Sequence, residues 1–486
     1  MVDRTNIDVE EVQRLVLHGF NYHRTWYLIL QVESKILARA FLSNLSRNKK
    51  DTAKPEVPVI AFSGKKRSWA SGEHKEKSDL SIAFTYAGMD ALDLDDGLLR
   101  EPLPKLANSF VQGAARRSSS LGDTRADTSR QWEPAFKSNR AHIVISIHGN
   151  DKDLIKTIVE ELKKIDGWKG LSGWSNIQEG KHRGTDQNDR KEHFGFVDGI
   201  SQPVIRRVHN IQEIEARRGY SIPPFMKYEA GEFLLGHPNE VRENRWREPL
   251  LSNKAAKFYG NGSFAAFRKM EQDVAAYRKF IKVTANQHAI PEKYLEAKLC
   301  GRNKDGTPLV NAVSSSADLN SFGFRGDADG RNCPIGSHIR RLNPRDDKEV
   351  IPRMRRPVIR RGIPYGKEFE EFPDQKRGLL GMFFCASLEQ QFEFLMQDWV
   401  DETPIREPGA NTKDPLIGNH EYNTKNYVIP VVTGKPIEVE GIAKVTRTRG
   451  MLYLFYPSRT ALSMIAELDE TSENFIYKKP DTAVRH

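Results

Sequence analysis

The sequence predicts a layered protein that mixes strands and helices, α/β or α+β, on three observations. Short apolar runs such as Trp26–Val32 and His142–His148 have the length of buried strands. The stretch Asp151–Ile165 is amphipathic at helical spacing, with Leu154, Ile155, Ile158 and Leu162 on one side. The two kinds of segment alternate along the chain, which is the pattern of sheet-and-helix layers.

Asp8–Leu17 reads as a helix and Trp26–Val32 as a strand. Ser34–Leu45 is helical, with Ile36, Leu37, Ala40, Phe41 and Leu45 as its apolar set. Pro58–Ser63 and Ser81–Tyr86 are short strand candidates. Arg116–Trp132, rich in Ser, Arg and Asp, reads as an exposed loop, and polar Lys181–Lys191 as another. Arg206–Pro224 is a charged connector and the best domain boundary. Further on, Gln272–Val283 and Leu388–Val400 look helical, and Leu379–Ala386 and Met451–Tyr456 look like strands. No residue-level repeat is evident, but the similar order of elements in the two halves is that of a duplication.

At 486 residues the chain exceeds one ordinary core and implies two domains or one large duplicated unit. An apolar fraction of 38% with 35 Gly and 25 Pro excludes fibrous and disordered classes. No run of about 18 apolar residues is present, so no membrane span is expected. The start carries early acidic residues and no apolar region after a basic one. Neither a Sec-type signal peptide nor a twin-arginine leader is expected, and cytoplasmic residence is the default. The three cysteines, Cys300, Cys333 and Cys385, are odd in number and far apart. That argues against a disulfide framework and against a cysteine zinc site. The net charge of +10 is spread among 65 acidic residues, as on a solvated surface.

Three stretches carry chemistry. In Glu192–Pro203 (EHFGFVDGISQP), Asp198 sits between turn-forming glycines with apolar Phe194, Phe196, Val197 and Ile200 around it. A carboxylate in a buried setting suits acid–base work, although an Asx-turn or a helix cap would use the same residues. In Cys333–Arg345 (CPIGSHIRRLNPR), His338 follows small Gly336 and Ser337, which would admit a flat macrocycle to an imidazole ligand. Arg340, Arg341 and Arg345 could neutralise carboxylates on such a group. A satisfied core histidine beside a solvated basic strip fits the same letters. In Arg353–Gly366 (RMRRPVIRRGIPYG), five arginines crowd together, as nucleic-acid binding would require. Yet Val358 and Ile359 followed by Arg360 read as a strand that carries a cation inward.

With these motifs the sequence resembles the dye-decolorizing (DyP-type) haem peroxidase family. The Gly-x-x-Asp-Gly hallmark stands here as Gly195-Phe-Val-Asp-Gly199, extended by Ile-Ser-Gln-Pro. The proximal-histidine segment matches Gly336-Ser-His-Ile-Arg-Arg341 and the distal-arginine segment matches Arg360-Arg-Gly-Ile-Pro-Tyr-Gly366. Gly231–Glu240, Asn261-Gly-Ser-Phe264 and Arg449–Ser458 follow in family order. Most of the chain is covered, and its length and loops resemble the longer fungal and bacterial members.

The resemblance implies an α+β fold of two ferredoxin-like units with antiparallel sheets and peripheral helices, within the dimeric α+β barrel superfamily. The first unit, 1–220, would carry the Asp198 motif, and the second, 221–486, the haem. It implies haem b (iron protoporphyrin IX) with His338 as proximal iron ligand, Asp414 as the carboxylate behind it and Arg345 on a propionate. Asp198 would move the peroxide proton. Arg360 would stabilise charge on the leaving oxygen and keep Asp198 ionised. Phe383 would wall the distal pocket. The implied enzyme is an oxidoreductase that acts on hydrogen peroxide and oxidises dyes, phenols or other aromatic reductants in one-electron steps through a ferryl intermediate. Nucleic acid and membrane are not expected partners, and homo-oligomerisation stays open. The chain departs from the compact bacterial members at Gly362, where those often carry Asn. With 7 Trp and 14 Tyr, no surface electron relay can be singled out. The alternative is a haem-binding or haem-delivery protein of the same fold without peroxidase turnover. It would keep His338 but need not keep both Asp198 and Arg360.

Overall fold

The computed structural model describes residues 7–19, 22–49, 53–63, 77–94, 101–137, 140–183, 190–218, 221–246, 250–310, 319–347, 354–402, 412–422, 426–431 and 433–473. Two sets of four strands build one sheet. The first set is β1 (Arg24–Val32), β2 (Ser78–Phe84), β3 (Ile143–Gly149) and β4 (Ile177–Lys181). The second is β5 (Ser263–Gln272), β6 (Ile359–Tyr365), β7 (Gly378–Cys385) and β8 (Thr446–Tyr456). The spatial order is β4-β1-β3-β2-β8-β5-β7-β6, every pairing antiparallel, with the short strand Leu171–Ser172 also on β1. Numbered within its own set, each half has the order 4-1-3-2. The duplication that no residue repeat reveals is therefore plain in the topology, and the fold is a pair of ferredoxin-like units.

The halves join where Phe455 of β8 pairs with Phe84 of β2. At the other end β4 lies against β6. A Cβ on Gly180 of β4 would run into Cγ2 of Ile363 on β6, so a residue without a side chain is what lets these strands meet. The sheet thus curls toward a barrel. β3 is buried along its whole length, as an Ile/Val-rich strand covered on both faces should be.

Helices cover the outside. In α1 (Lys35–Arg47), Ser34 caps the N-terminus by accepting from the Leu37 N–H, and Ala38, Phe41, Leu42 and Leu45 form the buried stripe. Ile36 and Leu37, assigned above to that stripe, are 57% and 42% exposed, because the i, i+3, i+4, i+7 set begins at Ala38. α2 (Lys152–Leu162) is capped by Asp151 and buries Ile155, Ile158, Val159 and Leu162. α3 (Val274–Gln287) follows β5. Leu388–Glu393 and Leu395–Val400 are π-helical.

Other expectations need correction. Asp8–Leu17 is a 3₁₀ turn, Val9–Glu11, and a single helical turn, Arg14–Leu17. Pro58–Ser63 forms no strand, only isolated bridges from Ile60 to Leu80 and from Phe62 to Gln13. The charged connector holds a helix, Ile211–Arg218. Part of the loop assigned to Lys181–Lys191 lies outside the described residues. Arg116–Trp132 is a packed chain of short helical turns rather than an exposed loop. Its buried Asp123 accepts from Arg268 Nη2 at 2.6 Å, and Asp127 pairs with Lys444 at 2.8 Å. Polar composition there serves buried ion pairs, which sequence cannot tell from solvation. The three cysteines are free and buried. Among the described residues no helix is long and apolar enough to cross a membrane.

If the approach of β4 to β6 holds the barrel shut, Gly180→Ala should lower stability by about 1–3 kcal/mol through overpacking against Ile363. Chemical unfolding measures this. A variant as stable as the parent would contradict the close approach.

Candidate functional site

A cavity of about 310 Å³ lies between the sheet and the segments that cross its face, and it is lined mainly by apolar side chains. His338, Arg345, Asp198, Arg360 and Phe383 all line it. Residues more than 100 positions apart in the chain are thereby brought to one chamber.

His338 opens the short helix α4 (His338–Leu342). Its Nδ1 stands 2.9 Å from Oδ2 of Asp414, a carboxylate with no solvent exposure. The other oxygen, Oδ1, accepts from the Leu416 and Ile417 N–H groups at 2.9 and 3.0 Å. Burial alone would raise the Asp414 carboxyl. Attraction to His338, the hydrogen bond with it, Arg341 and the backbone donors outweigh burial and bring the group down to about 2. A carboxylate can only accept, so Nδ1 is the donor and the lone pair rests on Nε2. No hydrogen bond engages Nε2 among the described residues. The arrangement suits a metal ligand made more basic by its carboxylate partner.

The small residues before His338 do a different job from the one expected. A Cβ on Gly336 would meet the ring of Tyr427 at 3.1 Å, and Ser337 Oγ lies 3.2 Å from Cys333 Sγ. They let α4 pack down into the protein rather than opening the cavity to a macrocycle. Arg340 and Arg341 are also structural. Arg340 donates to Asp347 and to the carbonyls of Asp327 and Cys333. Arg341 donates to the carbonyls of Trp399, Glu402 and Thr412. Arg345 does reach the cavity wall. It is held by the carbonyls of Asn320 and Phe322 at 2.7 and 2.9 Å and lies 3.8 Å over the Phe322 ring.

The opposite chemistry comes from a loop and an edge strand. Gly195 and Gly199 flank Asp198 with φ of +100° and +82°, a backbone that glycine adopts without strain. Buried Glu192 shapes the loop by accepting from the Phe194 and Phe196 N–H groups, both at 2.8 Å, and from Gln272. Burial pushes the Glu192 carboxyl up. Asp198 itself is not buried as its neighbours suggested, since 37% of its side chain is exposed to the cavity side. Arg360 Nη1 stands 3.7 Å from Asp198 Oδ1, and Arg360 Nη2 donates to the Ser201 carbonyl at 3.1 Å.

Arg360 lies directly across from Phe383 in the β6–β7 register, and Gly362 across from Gly381. All four therefore face one side of the sheet, the cavity side. Gly362 has a steric reason: a Cβ there would stand 3.0 Å from Asp198 Oδ2. The arginine cluster does not form an exposed strip. Arg361 is turned to the other face, where it donates to the carbonyls of Leu15 and Val16, and burial lowers it to about 9. Arg353 lies outside the described residues.

Three contributors escaped the sequence reading. Arg355 and Arg356 line the cavity, and Nε and Nη1 of Arg355 are buried with no hydrogen-bond partner among the described residues. Gln202 bonds to both main-chain groups of Arg360. Gln202 lay within the quoted Ile-Ser-Gln-Pro extension, but nothing in the letters shows which strand its amide meets.

Two family models match the chain: a DyP dimeric alpha+beta barrel domain over residues 11–179 and a Dyp-type peroxidase C-terminal domain over residues 232–407. Dye-decolorizing peroxidase msp1 of Mycetinis scorodonius is 30% identical over 423 residues, 79% of this chain and 76% of that protein. The multifunctional dye peroxidase DyP2 of an Amycolatopsis species is 29% identical over 292 residues, 56% of this chain and 60% of that one. A solved decolorizing peroxidase from Auricularia auricula-judae superposes with a TM-score of 0.74 at 23% identity, over 95% of this chain and 100% of that one. At that identity the likeness concerns the fold.

The role of Arg341 as a clamp gives a direct check. Arg341→Met should lower stability by about 2–4 kcal/mol, since three buried carbonyls lose their donor. Urea unfolding reads this, and an unchanged midpoint would show that Arg341 is not holding those segments.

Proposed function

Because this chain belongs to the dye-decolorizing peroxidase family and is an enzyme of that type, we propose that it reduces hydrogen peroxide on haem b carried by His338. Dyes, phenols and other aromatic compounds would be its one-electron reductants. One structural neighbour was solved in complex with 2,6-dimethoxyphenol, which is the substrate class meant here. The observation that carries the reading is the joint presence, around one cavity, of the His338–Asp414 pair and the Asp198–Arg360 pair.

The residues present fit haem. Among the described residues His338 Nε2 has no hydrogen bond, the walls are mainly apolar, and Arg355 Nε and Nη1 are buried without partners at the cavity, as a group with carboxylate arms would require. His338 would hold the iron, with Arg345 and Arg355 on the propionates. Haem when bound supplies the redox chemistry that no side chain here possesses.

The chain's own residues supply the rest. Asp198 takes a proton from one oxygen of hydrogen peroxide and returns it to the other, which departs as water. Arg360 donates to that departing oxygen and offsets its negative charge. Its guanidinium Nη1 stands 3.7 Å from Asp198 Oδ1, so both groups address the same end of the cavity. Asp414 fixes the tautomer and direction of His338. Phe383 presents an apolar wall beside Arg360. A haem carrier of the same fold would use His338 and Asp414 but gives Asp198 and Arg360 no task. The same reading divides the chain into an N-terminal unit, 1–220, with the Asp198 loop, and a C-terminal haem-binding unit, 221–486.

Two variants separate the roles. His338→Ala should lose most haem, read as absorbance per protein after haem supply. Arg360→Leu should retain haem yet react with peroxide about 100–1,000-fold more slowly in rapid mixing. A fully active Arg360→Leu would overturn the account of the distal pair. Should Asp198→Asn remain fully active, Arg360 alone would be the necessary group there.

A further inference from the structure

Among the described residues β6 is an edge strand, laddered to β7 alone. Main-chain groups on a free edge have no partners from the sheet itself. Arg360 pairs with Phe383 in the register, and one side chain from outside the sheet bonds to both of its main-chain groups, although the carbonyl also accepts from Arg361 Nη1 at 3.2 Å. Gln202 Nε2 donates to the Arg360 carbonyl at 2.9 Å, and the Arg360 N–H donates to Gln202 Oε1 at 3.1 Å. The carboxamide stands in for a residue of a neighbouring strand. Next to it, the Ser201 carbonyl accepts from Arg360 Nη2. One dipeptide therefore grips Arg360 by both its main chain and its guanidinium, three residues beyond Asp198.

The Asp198–Arg360 contact cannot fix itself. At 3.7 Å it is longer than a hydrogen bond, and the side chains are 37% and 38% exposed. We infer that Gln202 is the positioning residue of the distal pair: its amide locks the Asp198 loop to β6 at Arg360, so that carboxylate and guanidinium are presented together. The inference rests on the reading of these two residues as the peroxide-handling pair. Only a side chain with a donor and an acceptor side by side can satisfy both edge groups. Glutamate lacks the donor at neutral pH, and leucine lacks both. Without the clamp, the loop and the strand move independently, and displacements of about 1 Å are enough to cost on the order of 100-fold in rate.

The test uses the haem-supplied full chain as wild type, Gln202→Leu, Gln202→Glu, Arg360→Leu and the double variant Gln202→Leu/Arg360→Leu. Two quantities are read: deuterium uptake in the peptide spanning β6, and the rate of the peroxide reaction in rapid mixing. Gln202→Leu should speed exchange in β6 while leaving β3 unchanged, and should slow the peroxide reaction about 10–100-fold with haem content and the KM for a phenol preserved. Gln202→Glu, which keeps the acceptor, should fall between wild type and leucine. The double variant should lose less than the product of the two single losses, because Gln202 acts through the Asp198–Arg360 pair. Unchanged exchange in β6, or rate losses that multiply in the double variant, would overturn the inference. If Arg360→Leu alone reacts at the wild-type rate, the reading of the distal pair fails, and the exchange data still decide whether Gln202 holds the strand.

Discussion

A carboxylate with no access to water must find its partners inside the protein, and Asp414 is the group around which this site is arranged. Two backbone N–H groups take one oxygen and His338 takes the other. The tautomer of the imidazole, the direction of its free nitrogen and the seating of α4 all follow. Arg341 ties the segments around Asp414 together through the carbonyls of Trp399, Glu402 and Thr412. His420 adds a hydrogen bond to the Asp414 carbonyl at 2.7 Å, with its own proton affinity reduced to about 4 by burial. Replacement of the histidine would leave one oxygen of the buried carboxylate without its donor, so the ligand position and the local fold are energetically coupled.

The other wall obeys a steric rule. Arg360, Gly362, Phe383 and Gly381 share a face because strand register puts them there. Glycine at position 362 leaves the space that Asp198 Oδ2 occupies. The carboxylate arrives on a loop set by two positive-φ glycines and by the buried Glu192, and the loop is fastened to β6 by Gln202. Sheet, loop and helix each bring one functional group. Nothing but tertiary closure brings the three together, which explains how residues so distant in sequence can act as one site.

Most strands and helices were legible in the sequence because each has its own periodicity: β3 as an Ile/Val run, α2 as a capped amphipathic stripe. The three motifs were legible as well, through family resemblance rather than spacing. What escaped was whatever depends on partners far along the chain. Arg116–Trp132 looked like a solvated loop because buried ion pairs have the composition of exposed ones. Arg340 and Arg341 looked like anion binders, yet carbonyl oxygens claim them. The ferredoxin-like pairing of both halves was legible through family resemblance, while periodicity alone gave the strands but not their order, because the pairing joins strands distant in sequence. Arg355 was one arginine among five until the structure showed that its Nε and Nη1 are buried and meet no hydrogen-bond partner among the described residues.

The central claim is that one cavity unites a haem-holding imidazole with a peroxide-handling acid and cation. An absorption spectrum of the purified protein, supplied with haem during expression, tests it most directly, before and after one equivalent of hydrogen peroxide. The account predicts a Soret band that shifts rapidly with peroxide and returns when a phenol is added. A Soret band indifferent to peroxide would contradict the distal assignment. No Soret band after haem supply would contradict the site as a whole.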